Sequence, residues 1–207
     1  MNWQIKTNYQ KMLDDTIFDI TSKGKRPSLL MHACCAPCSS YVIEYLSDFF
    51  DITLLYYNPN ISPESEYFTR ADELIRLADE FSRVHTVSVN VLPYTPDDFN
   101  NIACGLENMP EGGARCFKCY RLRLEKSAVY AKENGFDYFC TTLSISPHKN
   151  ADVLNKIGSE LSIKYGIQYL YSDFKKKNGY LRSCQLSEKY SLYRQDSCGC
   201  IYSKINK

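Results

Sequence analysis

Ser28-Leu29-Leu30-Met31-His32-Ala33-Cys34-Cys35-Ala36-Pro37-Cys38 is the stretch on which the fold of this chain turns. Its first six residues form a short apolar run that reads as a buried strand. Ala36-Pro37 then opens a helix to about residue 48, with proline in the first turn, where its missing N–H removes no helical bond. Working outward, Ile52-Thr53-Leu54-Leu55-Tyr56-Tyr57 is rich in β-formers and stops at Asn58-Pro59-Asn60. Ser62-Pro63 reads as an N-cap with proline at the first helical position, for a helix to about Phe81 that turns Tyr67, Phe68, Ala71, Leu74, Ala78 and Phe81 inward. Val84 to Val91 reads as a strand, Pro96-Asp97 as a helix start to about Leu106, residues 116–134 as a helix stopped by Gly135, and Phe136 to Thr142 as a strand. Ser146-Pro147 repeats the Ser-Pro signature for a helix ending near Gly166.

Strands alternating with helices of this length predict an α/β fold: a Rossmann-like, mostly parallel sheet with flanking helices. Upstream, Trp3, Tyr9, Leu13, Ile17 and Ile20 recur at roughly helical intervals, so residues 1–26 read as an N-terminal helical extension. The part beyond Gly166 reads as an extra helical C-terminal segment. At 207 residues with no repeat or linker, the expectation is one domain, large enough to bury a core without disulfides. The N-terminus is polar, and no apolar run approaches the ~18–20 residues of a membrane span, so a cytoplasmic protein is expected.

The chain has ten cysteines. In a reducing compartment clustered cysteines serve more often as ligands or redox groups than as bridges. Cys34-Cys35 with Cys38 falls at the carboxyl end of a strand and the start of a helix, where ligands of α/β sheets bind. Unpaired N–H groups and the helix dipole there lower thiol pKa values and donate to sulfur. Cys116 and Cys119 form a second C-x-x-C at a helix start, so the two pairs are expected to face each other across one pocket. Four thiolates suit either tetrahedral zinc or a [4Fe–4S] cube. Cys198-Gly199-Cys200 reads as a labile redox couple, with two further metal ligands as the alternative. Cys104, inside a helix, and Cys140, inside a strand, read as buried small hydrophobes. His32 reads as a core histidine rather than a ligand.

Charge divides along the chain: residues 1–111 carry eight Lys and Arg against sixteen Asp and Glu, and residues 112–207 carry seventeen against eight. Such asymmetry fits a polyanionic partner. Basic residues surround the second C-x-x-C (Arg115, Lys118, Arg121, Arg123, Lys126), and Phe174-Lys175-Lys176-Lys177-Asn178-Gly179-Tyr180-Leu181-Arg182 is a basic loop with aromatic flanks. Cations that neutralise phosphates beside aromatics that stack on a splayed base suit an RNA surface.

Together these motifs resemble the non-cobalamin epoxyqueuosine reductases. The resemblance rests on His32-x-Cys34-Cys35-Ala36-Pro37-Cys38, Tyr56-Tyr57-Asn58-Pro59-Asn60-Ile61, Gly112 to Leu124, Thr141 to Asn150 and Leu192 to Cys200, in order from about residue 28 to 203. It implies a nucleotide alpha-hydrolase-like fold and reduction of the epoxide of epoxyqueuosine to the alkene at the tRNA wobble position. It also implies an iron–sulfur site, a [4Fe–4S] cluster held by Cys34, Cys35, Cys116 and Cys119, with a further mononuclear iron nearby. In some relatives a carboxylate replaces Cys38, which would suit that second iron. Cys198 and Cys200 are expected to store or relay an electron pair from an external donor, and the pair is expected to form a disulfide. Arg70, Tyr193 and Arg194 are candidates for holding phosphate or base. No Ser-Gly-Gly-x-Asp-Ser loop is present, so ATP use is not expected. Two competing readings are a zinc-stabilised tRNA-binding module, colourless and without redox activity, and a thiol–disulfide oxidoreductase that works without metal.

Overall fold

A computed structural model describes residues 7–205. Trp3 of the expected N-terminal helix lies outside them; the helix itself, α1, spans Tyr9–Ser22, with the Asn8 side chain accepting from the Lys11 N–H at its start. Its buried Leu13 and Ile20 face the core. β1 (Ser28–His32) leads into α2 (Ala36–Leu46), and β2 (Asp51–Tyr56) into α3 (Glu64–Ser82). β3 (Val87–Val91), α4 (Pro96–Ala103) and α5 (Ala114–Glu133) follow, then β4 (Tyr138–Thr141), α6 (Ala151–Tyr165), β5 (Gln168–Tyr169), α7 (Gly179–Lys189) and α8 (Ile201–Ile205).

The five strands form one sheet in the order β3-β2-β1-β4-β5, and every neighbouring pair is parallel. β1 is central: His32 is opposite Leu55 on one side and Thr141 on the other. Alternation along β1 divides the core. Leu29 and Met31 pack with α1, α2, α3 and α7, whereas Leu30 packs with Tyr120, Leu124, Ala128 and Leu154 of α5 and α6. The chain winds outward from β1 through β2 to β3, then crosses to β4 and winds the other way. The crevice between the carboxyl ends of β1 and β4 is therefore the switch point where such sheets bind ligands.

Several expectations shift. Pro63 is itself the cap residue of α3, one position earlier than a first helical residue. Ser146-Pro147 starts no helix: a 3₁₀ turn over Thr142–Ile145 follows β4, and Ser146 Oγ accepts from the His148 N–H. The cap of α6 is Asn150, whose side chain accepts from the Val153 N–H. α4 ends at Ala103, which leaves Cys104 exposed at its C-cap rather than buried within it. β5, with only two residues, has no sequence period by which to announce itself. Cys140 is fully buried in β4, as its apolar surroundings predict. Among the described residues no helix is long and apolar enough to cross a membrane.

Candidate metal and redox centre

β1 delivers Ala33 and Cys34 to the switch point, and extended backbone at Cys35, the N-cap of α2, turns the chain into the helix. Cys34, Cys35 and Cys38 consequently converge, with their Sγ atoms all within 4.8 Å of one another. Cys34 Sγ lies 3.7 Å from Cys35 Sγ and 3.8 Å from Thr142 Oγ1, just beyond the end of β4. Three sulfurs this close share their protons. Hydrogen bonds from Cys35 and Cys38 hold the Cys34 thiol well below its ordinary range. The same contacts push Cys35 up to about 12 and Cys38 upward as well. Cys34 is thus the most acidic thiol of the group.

Cys116 and Cys119 occupy the first turns of α5, three residues apart on one face, and the Gly112 N–H donates to Cys116 Sγ at 3.3 Å. Cys119 is buried, which raises its thiol pKa. The structure gives Cys116 and Cys119 a different wall from the first triad. They line a narrow crevice with Tyr120, Cys198 and Cys200. The triad lines a wider cavity of about 420 Å³ together with His148, Tyr180 and Arg194. Cys198, Arg123 and Lys149 belong to both walls and mark where the two spaces meet. The wider cavity lies in the size range of small-molecule sites.

All ten cysteines are free, so Cys198 and Cys200 stand as a dithiol, and the expected disulfide is not present. The intervening Gly199 adopts φ +87°, a turn that sets both thiols along the crevice. Hydrogen bonding from Cys200, then the Lys149 ammonium and Ser203 (Sγ to Oγ 3.5 Å), outweigh burial and hold the Cys198 thiol down to about 4, while Cys200 is pushed up. The Lys149 ammonium, opposed by burial, is held in its charged form by Cys198 and Tyr120.

Two polar residues that spacing alone did not single out stitch the cysteine groups together. Fully buried Asn58, past the end of β2, donates to the Ala33 carbonyl at 2.9 Å and accepts from Arg123 Nη1 at 3.2 Å. Arg123 Nε in turn reaches the Cys119 carbonyl at 3.4 Å. One chain of bonds thereby joins the backbone beside Cys34 to that of Cys119. Burial opposes the Arg123 charge, but the sulfurs of Cys119, Cys34 and Cys198 sustain it. A polar residue straight after a strand, as in Asn58-Pro59-Asn60, was the available signal. His32 is fully buried: Nε2 lies 3.2 Å from the Tyr57 carbonyl, so that nitrogen carries the proton, and Nδ1 lies 3.0 Å from Thr141 Oγ1. Burial, then Arg123, lowers its pKa to about 4. It is a satisfied core histidine.

Of the remaining candidates, Arg70 and Arg194 line the wide cavity with the triad, and Tyr193 does not. Arg70 is buried and bonded to Glu66 and the Cys198 carbonyl. Tyr193 is exposed with its hydroxyl on Glu66, and Arg194 lies at the rim of the wide cavity. Much of the expected phosphate-facing charge is used internally. Arg115 is buried and donates to the carbonyls of Leu106, Glu107 and Met109. Arg121 pairs with Glu160, Lys175 with Asp173 and Lys177 with Asp14.

The donor set fits an iron–sulfur group. Soft thiols stand in both walls, a backbone N–H already points at one of them, and a buried guanidinium faces three. The buried Tyr120 hydroxyl has no hydrogen-bond partner among the described residues and borders the crevice, as a donor to a sulfur-bearing group would. Fold and site together define a Rossmann-like α/β protein with a thiol-rich centre at the switch point of its sheet. The U34-tRNA thiolase NcsA from Methanococcus maripaludis, solved with its [4Fe–4S] cluster, shares this fold at a TM-score of 0.55 and 13% identity, over 93% of this chain and 68% of its own. The family model for epoxyqueuosine reductase QueH matches residues 29–206, and the chain belongs to that family. Relatives bearing this name include those of Streptococcus pyogenes serotype M1, 44% identical over 98% of this chain and 80% of its own, and Staphylococcus epidermidis, 40% identical over 98% and 87%. That of Thermotoga maritima is 32% identical over 87% and 92%.

Proposed function

We propose that the chain reduces the epoxide of epoxyqueuosine in tRNA to the alkene of queuosine, at a [4Fe–4S] cluster with a further iron nearby. The observation that carries this reading is the meeting of the Cys34, Cys35 and Cys38 thiols with Cys198 of the C-x-C pair at one cavity, whose wall shares Arg123 and Lys149 with the crevice of Cys116, Cys119 and Cys200. Family membership supplies the substrate class. Cys34, Cys35, Cys116 and Cys119 would hold the cluster, and Cys38 would serve the adjoining iron. When bound, such a centre would supply single-electron transfer and Lewis acidity for cleavage of the epoxide C–O bond.

The rest follows from the chain's own groups. Opening the epoxide to an alkene consumes two electrons and two protons and releases the oxygen as water. Cys198 and Cys200, passing from the thiolate–thiol pair to the disulfide, release two electrons and one proton, the second proton comes from solvent, and an external reductant restores the reduced pair. Arg123 and Lys149 counter the negative charge that thiolates bring into the buried site. The wide cavity would receive the flipped nucleoside, with Arg194 and Tyr180 at its rim for phosphate and base. The test is turnover of epoxyqueuosine-containing tRNA under anaerobic conditions with a chemical reductant. Conversion to queuosine that is lost in Cys34→Ala supports the reading; conversion retained in that variant overturns the ligand set.

A further inference from the structure

The C-x-C loop is held by a grip that the sequence did not advertise. Its two peptide carbonyls are both taken, by the segment between β2 and α3 and by Arg70 of α3 itself. The Cys198 carbonyl accepts from Arg70 Nη1 and Asn60 Nδ2, each at 3.4 Å, and the Gly199 carbonyl accepts from the Ser62 N–H at 3.0 Å. Arg70 is itself fixed: Glu66 Oε1 binds its Nε at 2.8 Å and its Nη2 at 2.7 Å. Its guanidinium lies flat under Gly199, where an added Cβ would stand 3.1 Å from Nη2 and 3.2 Å from Nη1. The same helix face ties down the irregular segment leading to the loop, with Glu66 accepting from the Tyr193 hydroxyl at 3.0 Å and Glu73 from the Tyr193 N–H at 2.7 Å.

We infer that Arg70 is a positioning residue for the Cys198–Cys200 couple, acting through the Cys198 carbonyl, and not a phosphate ligand. The inference rests on the reading of this pair as the redox couple. Arg70 is 3% exposed, and its guanidinium is already committed to Glu66, the Cys198 carbonyl and the face of Gly199. Arg70 borders the wide cavity, but with Nε and Nη2 held by Glu66 and Nη1 on the Cys198 carbonyl, a phosphate there would have to compete with both for the guanidinium. Bridging residues two apart requires the carbonyls of 198 and 199 to rotate as the sulfurs approach. A guanidinium that anchors the Cys198 carbonyl while both thiols are free therefore favours the dithiol. Loosening it favours closure to the disulfide, with two electrons passing to oxidised dithiothreitol, which is reduced to its dithiol, and the Cys200 proton released.

The test equilibrates full-length protein carrying its iron–sulfur centre with dithiothreitol redox buffers under argon. Acid quench, alkylation and peptide mass spectrometry then read the Cys198/Cys200 couple. In Arg70→Met the equilibrium should move about tenfold toward the disulfide, ~30 mV for this two-electron couple. The same variant should lower kcat about tenfold, with KM for epoxyqueuosine tRNA within twofold of wild type. Arg70→Lys should behave likewise, because one ammonium does not reproduce the planar grip on Glu66 and the loop together. Glu66→Gln should move the couple in the same direction and serves where Arg70→Met fails to fold. An unchanged or oppositely shifted couple in variants with raised KM, rescued by lysine, overturns the inference in favour of phosphate binding. A wild-type protein whose Cys198 and Cys200 never interconvert overturns the couple itself and this role with it.

Discussion

Asn58→Ala severs the bridge between the two cysteine groups, and the loss can be worked from the bonds. The amide makes two, a donation to the Ala33 carbonyl at 2.9 Å and an acceptance from Arg123 Nη1 at 3.2 Å, at a position with no solvent exposure. A buried neutral bond contributes about 1 kcal/mol net and one to a charged group about 1.5–3 kcal/mol, so the variant should lose about 2.5–4 kcal/mol. For a chain of this size that corresponds to roughly 5–15 °C in Tm. Urea unfolding of the metal-free, reduced protein measures the stability. Iron retention after anaerobic loading and desalting measures the site, and should fall because Ala33-Cys34 and Cys119 no longer share a fixed frame. Asn58→Asp separates the two effects. It keeps an acceptor for Arg123, so stability should fall less, while the added carboxylate competes with the sulfurs for the guanidinium and iron retention should still fall. A loss below ~1 kcal/mol in Asn58→Ala with wild-type iron retention refutes the bridge.

Three further outcomes are expected. Cys34→Ala and Cys119→Ala should each abolish iron retention and turnover, read by metal and sulfide analysis beside the tRNA assay; full activity in either removes that residue from the ligand set. His32 has a folded pKa of about 4 against an unfolded value of about 6.5, so folding favours the neutral ring. Its contribution is present above pH 6.5 and is lost as pH falls toward 4, up to about 3 kcal/mol; denaturant midpoints between pH 7 and 4.5 should fall more steeply in wild type than in His32→Gln, and equal slopes contradict the assignment. In Gly158→Ala a Cβ would lie 2.3–2.4 Å from ring atoms of buried Tyr169, so ~1–3 kcal/mol of stability should go, and a Tm unchanged within a degree would show that α6 and β5 pack otherwise.

The α/β alternation was legible because β1 and β2 are apolar runs with proline or Asn-Pro punctuation, and the cysteine pairs at helix starts marked the candidate site. Proline gave two helix starts correctly, at Pro37 and Pro96, where it occupies the first turn. It misled at Ser146-Pro147, because a 3₁₀ turn and a serine turn satisfied the backbone locally and Asn150 took the cap. β5 is two residues long and is held by pairing to β4, which no local period records. Charge was the least legible property. Arg115, Lys175 and Lys177 read as phosphate-facing but serve carbonyls and carboxylates of their own fold. Arg123, one basic residue among five around the second C-x-x-C, proves to be a buried cation that, like Lys149, borders both thiol groups, a role set by which helix face turns inward rather than by composition.

Anaerobic reconstitution with iron and sulfide tests the central claim most directly. The account predicts a brown protein with thiolate-to-iron charge-transfer absorption and about four or five irons per chain, competent to reduce epoxyqueuosine in tRNA. A colourless protein that takes up only zinc, and leaves the epoxide intact, would contradict it.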